Sequence, residues 1–357
     1  MVPLVGDKRV ALFLLLIPCF ILVALPTTEI AKAAEDSWTI MEAMPTIRAG
    51  IGVAVVDGKI YAIGGHTWGN YLGTNEMYDS ATNTWTTKTS MPTPRGNFGI
   101  AVVENKIYVI GGGTDAYVYT NVNEVYDPLT DTWETKTSMP TTRYAMEANV
   151  VNGKIYLIGG NSIVNEVYDP ATDSWTTKTP IPTQVGYYAS AVVDNKIYIM
   201  GGAVGLSLNQ IYDPETDTWS NGTSLPTGVD QAAAGVTAGD TATQRIFVIG
   251  GKENLDGVNL NQVYDPETDT WVAGSAMPTA RYGLGVAVVN DSLYAIGGHE
   301  GWFGTPISAA NERYTPADFI PEFPSWIILP LFIIATLMAV IVYRRLLTKA
   351  SKSKRIT

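Results

Sequence analysis

Glu147 and Asn149 sit where the rest of a repeated sequence places glycine or alanine. Six equivalent positions hold Arg48, Arg95, Arg143, Val185, Val229 and Arg281. Four residues further on, the chain reads Gly52, Gly99, Glu147, Ala189, Ala233 and Gly285. Two beyond that it reads Ala54, Ala101, Asn149, Ala191, Gly235 and Ala287. A carboxylate in such a column is costly to bury without a partner. Glu147 is therefore expected to meet water, an arginine of its own rim (Arg95 or Arg143) or a bound ligand. Beside an arginine it is a weak candidate for proton transfer, and no other residue is put forward as catalytic. The arginines Arg48, Arg95, Arg143 and Arg281 could brace the rim or hold an acidic ligand; bracing is the expectation. The two histidines, His66 and His299, each follow a Gly-Gly pair. With Glu300 or Asp115 they could ligate a metal. No close-spaced ligand motif supports one, so neither a metal nor a cofactor is expected.

These residues belong to a period of 42 to 49 residues, marked by Gly-Gly at 64, 111, 159, 201, 250 and 297. A tyrosine follows each pair, at 78, 126, 168, 212, 264 and 314, and a tryptophan follows the first five, at 85, 133, 175, 219 and 271. Self-similarity on this scale is the mark of a repeat architecture. Within the second repeat, four β-prone runs can be read: 99–103, 106–110, 123–126 and 132–136. Tight pairs such as Asp57-Gly58 and Asn152-Gly153 separate the first two runs, and both residue types tolerate positive φ. Asp-Pro-x-Thr-Asp, as at 127–131, makes a second turn. Each unit is thus a four-stranded antiparallel meander with two wet faces, which radial stacking would bury. Tyr126 and Trp133 would act as wedges between neighbours.

The Gly-Gly pairs, the spaced Tyr and Trp, and segments such as Met91-Pro92 to Arg95 resemble kelch repeats. The resemblance covers roughly 37–315. It implies an all-β, six-bladed kelch-type β-propeller. The sixth repeat ends at Thr315-Pro316 without its Thr-Trp strand, while Asp36-Ser37-Trp38 precedes the first. That N-terminal segment is expected to complete the last blade and close the ring. Some kelch propellers are copper oxidases that use a Tyr–Cys crosslink and histidines. The sole cysteine, Cys19, lies outside the repeats, which argues against that chemistry. Six-bladed members also include a sialic acid epimerase, so an epimerase-like sugar-modifying enzyme with a polar channel site is the alternative reading.

The flanks carry addresses rather than fold. Residues 1–33 read as a signal peptide, with Lys8-Arg9, an apolar core from Val10 to Leu25 and Ala31-Lys32-Ala33. The propeller is assigned to 34–316 and a linker to 317–325. Residues 326–343 hold no charge and are about long enough for a transmembrane helix. The basic tail 344–357 marks the cytoplasmic side. Pro-Glu-Phe at 321–323, the apolar span and the basic tail resemble an archaeal PEF-type C-terminal sorting signal, which implies a sorting enzyme as a partner. A retained anchor is the other reading. The whole chain carries net charge −11; the two ends (1–33 and 321–357) carry +1 and +5, leaving −17 for the part between. Such a surface excludes nucleic-acid backbone binding and suits an exposed, exported domain. Asn221 and Asn290 head glycosylation sequons.

In a meander, the connections from second to third and from fourth to first strand share one face. Those connections vary in length and content between repeats, and varied loops on a rigid scaffold are where recognition sits. The binding-face candidates are His66, Trp68, Tyr71, Asn97, Asp115, Tyr117, Tyr144, Glu147, Asn149, Tyr187, Gln231, Lys252, Glu253, His299 and Trp302. Aromatics interleaved with polar groups suit a glycan or protein partner. A surface-anchored binding module is the expected function, and a structural cell-surface component is a further alternative.

Overall fold

The computed structural model describes residues 36–317 except 116–117, 204–205, 240–241, 255 and 302–305, all within the compact unit Ala34–Thr357. The expected signal peptide, the linker beyond 317, the transmembrane segment and the basic tail lie outside the described residues, as do Tyr117 and Trp302. Among the described residues no helix is long and apolar enough to cross a membrane.

Six four-stranded antiparallel sheets, with three two-stranded hairpins on their loops, hold the strands of the described residues. The second is typical: Gly99–Val103, Lys106–Ile110, Asn123–Asp127 and Thr132–Lys136 pair in chain order. The innermost hairpins turn through left-handed residues, such as Asp57 (φ 49°) with Gly58 (φ 70°). This is the geometry those pairs promised. Second strands such as Lys154–Ile158 are nearly all buried, whereas first strands such as Gly285–Val289 alternate buried and half-buried residues. The half-buried set faces a central axis.

The sixth sheet is Gly285–Val289, Ser292–Ile296, Asn311–Thr315 and, outermost, Ser37–Ile40. Trp38 registers with Tyr314, just as Trp133 registers with Tyr126. The ring is thus closed by strands from both ends of the repeat region.

Adjacent blades are tied by one repeated device. Each tryptophan lies against its own tyrosine, at 4.8–5.1 Å between ring centroids, and donates its indole N–H to a carbonyl of the preceding blade. Trp133 to Thr89 (2.9 Å) and Trp175 to Thr137 (2.9 Å) are examples. In the first blade the tyrosine hydroxyl donates to Asn83 (2.7 Å), and in the second to fifth it donates to the closing aspartate of the Asp-Pro turn, Tyr126 to Asp131 for instance (2.5 Å). That aspartate also accepts from the preceding blade, here from the Thr89 N–H at 2.9 Å. In the sixth blade Asp36 takes this role, accepting from the Tyr314 hydroxyl and from Ser275 N–H (2.9 Å).

Candidate functional site

Two residues beyond each position of the arginine column lie Gly50, Asn97, Ala145, Tyr187, Gln231 and Gly283. All six are left-handed, with φ between 53° and 61°. Each N–H donates to the carbonyl of its counterpart one blade back: Asn97 to Gly50, Ala145 to Asn97, Tyr187 to Ala145, Gln231 to Tyr187, Gly283 to Gln231 and Gly50 to Gly283, at 2.7–2.9 Å. Six backbone hydrogen bonds therefore close a circle around the axis. Left-handed backbone strains a non-glycine residue, so four side chains are held at the channel mouth at a conformational cost. Of these, Asn97, Tyr187 and Gln231 were candidates from sequence.

From the circle inward, a solvent-open cavity is lined by Phe98, Met146, Glu147, Tyr188 and Leu284 as well as by the circle residues themselves. A second continues along the axis past Ile100, Ser190 and Val286. Glu147 lines both.

The position of Glu147 has a local cause. In other blades the first strand starts in register at this point, Gly99 opposite Ile110 and Ala189 opposite Met200. In the third blade, pairing starts one residue later, Ala148 opposite Leu157. The hydroxyl of Tyr188, from the fourth blade, is inserted where the missing rung would be. It donates to the Ile158 carbonyl and accepts from the Glu147 N–H at 3.2 Å. Freed from the ladder, Glu147 reaches the axial cavities. Among the described residues no hydrogen bond or ion pair reaches its carboxyl. Burial pushes its pKa up to about 8, so the group is mostly protonated at neutral pH.

The expected pairing of Glu147 with Arg95 or Arg143 does not occur. Arg48 bonds Glu76 (2.6 Å), Arg95 bonds Glu124, Arg143 bonds Glu166 (2.7 Å) and Arg281 bonds Glu312 (2.7 Å). All four arginines are at most 2% exposed and also donate to strand or Gly-Gly carbonyls, as Arg143 does to Gly159 (2.8 Å). An acidic ligand on the rim does not reach them. Their partners were legible. Blades with arginine carry Glu at the matching strand position, whereas Val185 and Val229 go with Gln210 and Gln262. Gln210 and Gln262 instead accept from backbone N–H groups of Thr183 (2.9 Å) and Thr227 (2.8 Å). Removing one partner of such a pair strands the other charge. Arg143→Met is expected to cost about 3–5 kcal/mol in denaturant unfolding, and adding Glu166→Gln should recover much of it. Equal stability of parent and Arg143→Met would show the pair to be dispensable.

Above the circle the mouth has aromatic walls. Tyr119 stacks on Tyr144 (3.9 Å between centroids, 3° between planes), and Tyr144 meets Tyr187 edge-on (5.9 Å). Opposite, His299 stacks on Tyr282 (5.1 Å) and lies 5.4 Å from His66 and 5.3 Å from Trp68; His66 lies 5.6 Å from Tyr71. Ring closure thus brings the two histidines together, in apolar surroundings. Burial lowers both pKa values, with that of His299 falling to about 4 and the neighbouring His66 a further cause. Among the described residues no group of three His, Cys, Asp or Glu side chains is placed to hold a metal. Lys252 bonds Asp230 (3.4 Å) and lies 5.8 Å from the Tyr282 ring. Glu253 and Asp115 are exposed further out, and the loops that carry them form two-stranded hairpins: Gly113–Asp115 with Val118–Tyr119, and Lys252–Glu253 with Asp256–Gly257.

Asn149 does not join this mouth. It is 4% exposed, registers with Tyr156, and its side-chain N–H group has no partner among the described residues. A residue in that column turns away from the axis, because strand side chains alternate and the channel takes the other set. Asn221 and Asn290 are both exposed, and Asn290 lies in a hairpin turn (φ 50°).

The KLHDC2/KLHL20/DRC7 Kelch-repeats domain matches residues 26–160 and 134–298, and the Kelch motif matches 280–317. Over 38 residues the sequence is 47% identical to human Kelch-like protein 5, a stretch covering 11% of this chain and 5% of that protein. The chain thus spans only a small part of that relative's length. The solved structure titled "Structure of YjhT" superposes with a TM-score of 0.66 at 16% identity, covering 78% of this chain and 97% of that one. At that identity the likeness shows the fold alone.

Proposed function

Since the chain belongs to the Kelch-repeat family, whose propeller is a generic protein-interaction fold, we propose that it is a binding module that takes a protein partner on the loop face. The observation that carries this reading is a crown of exposed apolar side chains around the aromatic mouth. Trp68 (48% exposed), Val118 (52%), Ile163 (48%) and Leu206 (45%) stand on the loops of the first four blades. Apolar side chains ringing a pocket with aromatic anchors are the usual anatomy of a protein interface. The reading also takes the chain to be exported by 1–33 and held at a cell surface by 326–343, with the Pro-Glu-Phe segment read by a sorting enzyme or retained as an anchor. Its support is the composition of those segments.

The test is a binding screen of the full-length chain in detergent against cell-surface extract and a glycan array, with Trp68→Ala and Leu206→Ala in parallel. A protein partner should bind the parent and lose at least tenfold in affinity with either variant. A glycan that binds, is lost with Tyr144→Ala and is indifferent to Leu206→Ala would replace the protein reading by a carbohydrate one. The enzyme alternative rests on the protonated carboxyl at the channel floor; a sugar consumed by the parent but not by Glu147→Gln would establish it.

A further inference from the structure

We propose that the axial cavity below the mouth is a recognition site for a lysine-type ammonium group, which a protein partner inserts through the circle of backbone hydrogen bonds to meet Glu147. This inference rests on the binding-module reading above.

Charge selects the ligand. The four buried glutamates Glu76, Glu124, Glu166 and Glu312 each hold an arginine, whereas among the described residues no cation pairs with Glu147. No lysine, arginine or histidine lines either cavity. An anion entering from the mouth would meet a carboxyl and no compensating charge. A cation would meet its counter-charge, and the net charge of −17 across 34–320 favours its approach.

Shape and chemistry agree. Phe98 and Leu284 supply apolar wall for an aliphatic stem, and Tyr187 lines the same cavity. The side-chain amides of Asn97 and Gln231 stand at the entrance and offer acceptors to an N–H donor. A lysine carries a compact charge on a narrow four-carbon stem, which suits a slender axial passage better than a planar guanidinium does.

Protons give the proposal a sign. The titratable groups facing Glu147 are Tyr187 and Tyr188, both pushed upward by burial and neutral at physiological pH. Arg143, whose charge acts on Tyr188, is committed to Glu166. Uncharged carboxyl becomes carboxylate when the ammonium binds, and its proton leaves to solvent. Binding should therefore strengthen about tenfold per pH unit as pH rises toward 8 and level off above it. A neutral ligand accepting a hydrogen bond from the protonated carboxyl would show the opposite trend.

The experiment is calorimetry on the full-length chain with Nα-acetyl-lysine methylamide, its norleucine counterpart and putrescine. Runs at pH 6, 7 and 8 in two buffers of different ionisation enthalpy count protons. The lysine probe should bind and release close to one proton at pH 7. The norleucine probe should bind at least tenfold more weakly. Glu147→Gln, checked for folding by its melting curve, should lose the lysine preference and the proton release. Equal binding of norleucine, proton uptake, or unchanged lysine binding by Glu147→Gln would overturn the proposal. Tighter binding of putrescine than of the lysine probe would overturn the protein source of the ammonium. A surface partner that binds the parent, depends on Trp68 and ignores Glu147→Gln would leave the module reading standing and sink this one.

Discussion

Deleting Asp36 to Glu42 is expected to unfold the propeller at a markedly lower temperature, although the segment is only seven residues long. It holds the outer strand Ser37–Ile40, which covers the edge of Asn311–Thr315. It also holds Trp38, whose indole N–H donates to the Ser275 carbonyl at 2.8 Å, and Asp36, which accepts from Ser275 and Tyr314. Glu42 offers its carbonyl to the Trp85 indole (2.9 Å), so the junction between the sixth and first blades loses its staple as well. Each such hydrogen bond contributes about 1 kcal/mol net, and the Trp38–Tyr314 contact adds apolar burial. The sum is on the order of 5 kcal/mol, or roughly 10–15 °C in melting temperature for a domain of this size. Trp38→Ala alone should give a smaller drop in the same direction. A melting curve for the deletion that overlays the parent would mean the ring does not depend on this strand.

The second large effect is electrostatic and grows as pH rises. Glu147 has a folded-state pKa of about 8, raised by burial, against an ordinary value of 4.5. A raised folded-state pKa contributes stability that is present in full below the unfolded value and is lost as pH rises through the folded one. Between pH 4.5 and 8 the parent should lose about 1.4 kcal/mol per pH unit from this group, on the order of 5 kcal/mol in all. His299 works against it. Its folded-state pKa is lowered from 6.5 to about 4 by burial, so its contribution is present above 6.5 and is lost as pH falls from there toward 4. The two slopes offset one another below pH 6.5, and the decline due to Glu147 emerges above it. Glu147→Gln should remove that decline and be the more stable protein at pH 8 to 9. Denaturant unfolding of both proteins from pH 5 to 9 measures this directly; parallel stability profiles would show that the carboxyl is not held in a desolvated site.

Much of the architecture is local and was therefore open to reading. A tight Asp-Gly or Asn-Gly pair can only reverse the chain, and a Tyr spaced seven residues from a Trp on adjoining strands can only face it across one rung. Repeated five times each along the chain, those local rules leave little choice but a ring of meanders, and the orphaned Trp38 segment names the piece that closes it. The arginine–glutamate pairs were legible too, because the two positions change together: Arg with Glu in four blades, Val with Gln in two.

The site is less local. Glu147 stands out in its column by type alone, so the anomaly belongs to the sequence. Its destination does not. The column as a whole faces the neighbouring blades, as Asn149 in the matching column shows by being buried. Glu147 leaves that face because the Tyr188 hydroxyl, 41 residues away, replaces one rung of its strand. In sequence Tyr188 is one more large residue in a column with Ile51, Phe98, Met146 and Leu284. Likewise His66 and His299, 233 positions apart, become neighbours only when the ring closes. Strand and turn chemistry act over a few residues and are set by the chain itself. The side chains that share the axis are chosen by which blades meet there, which is decided by long-range packing.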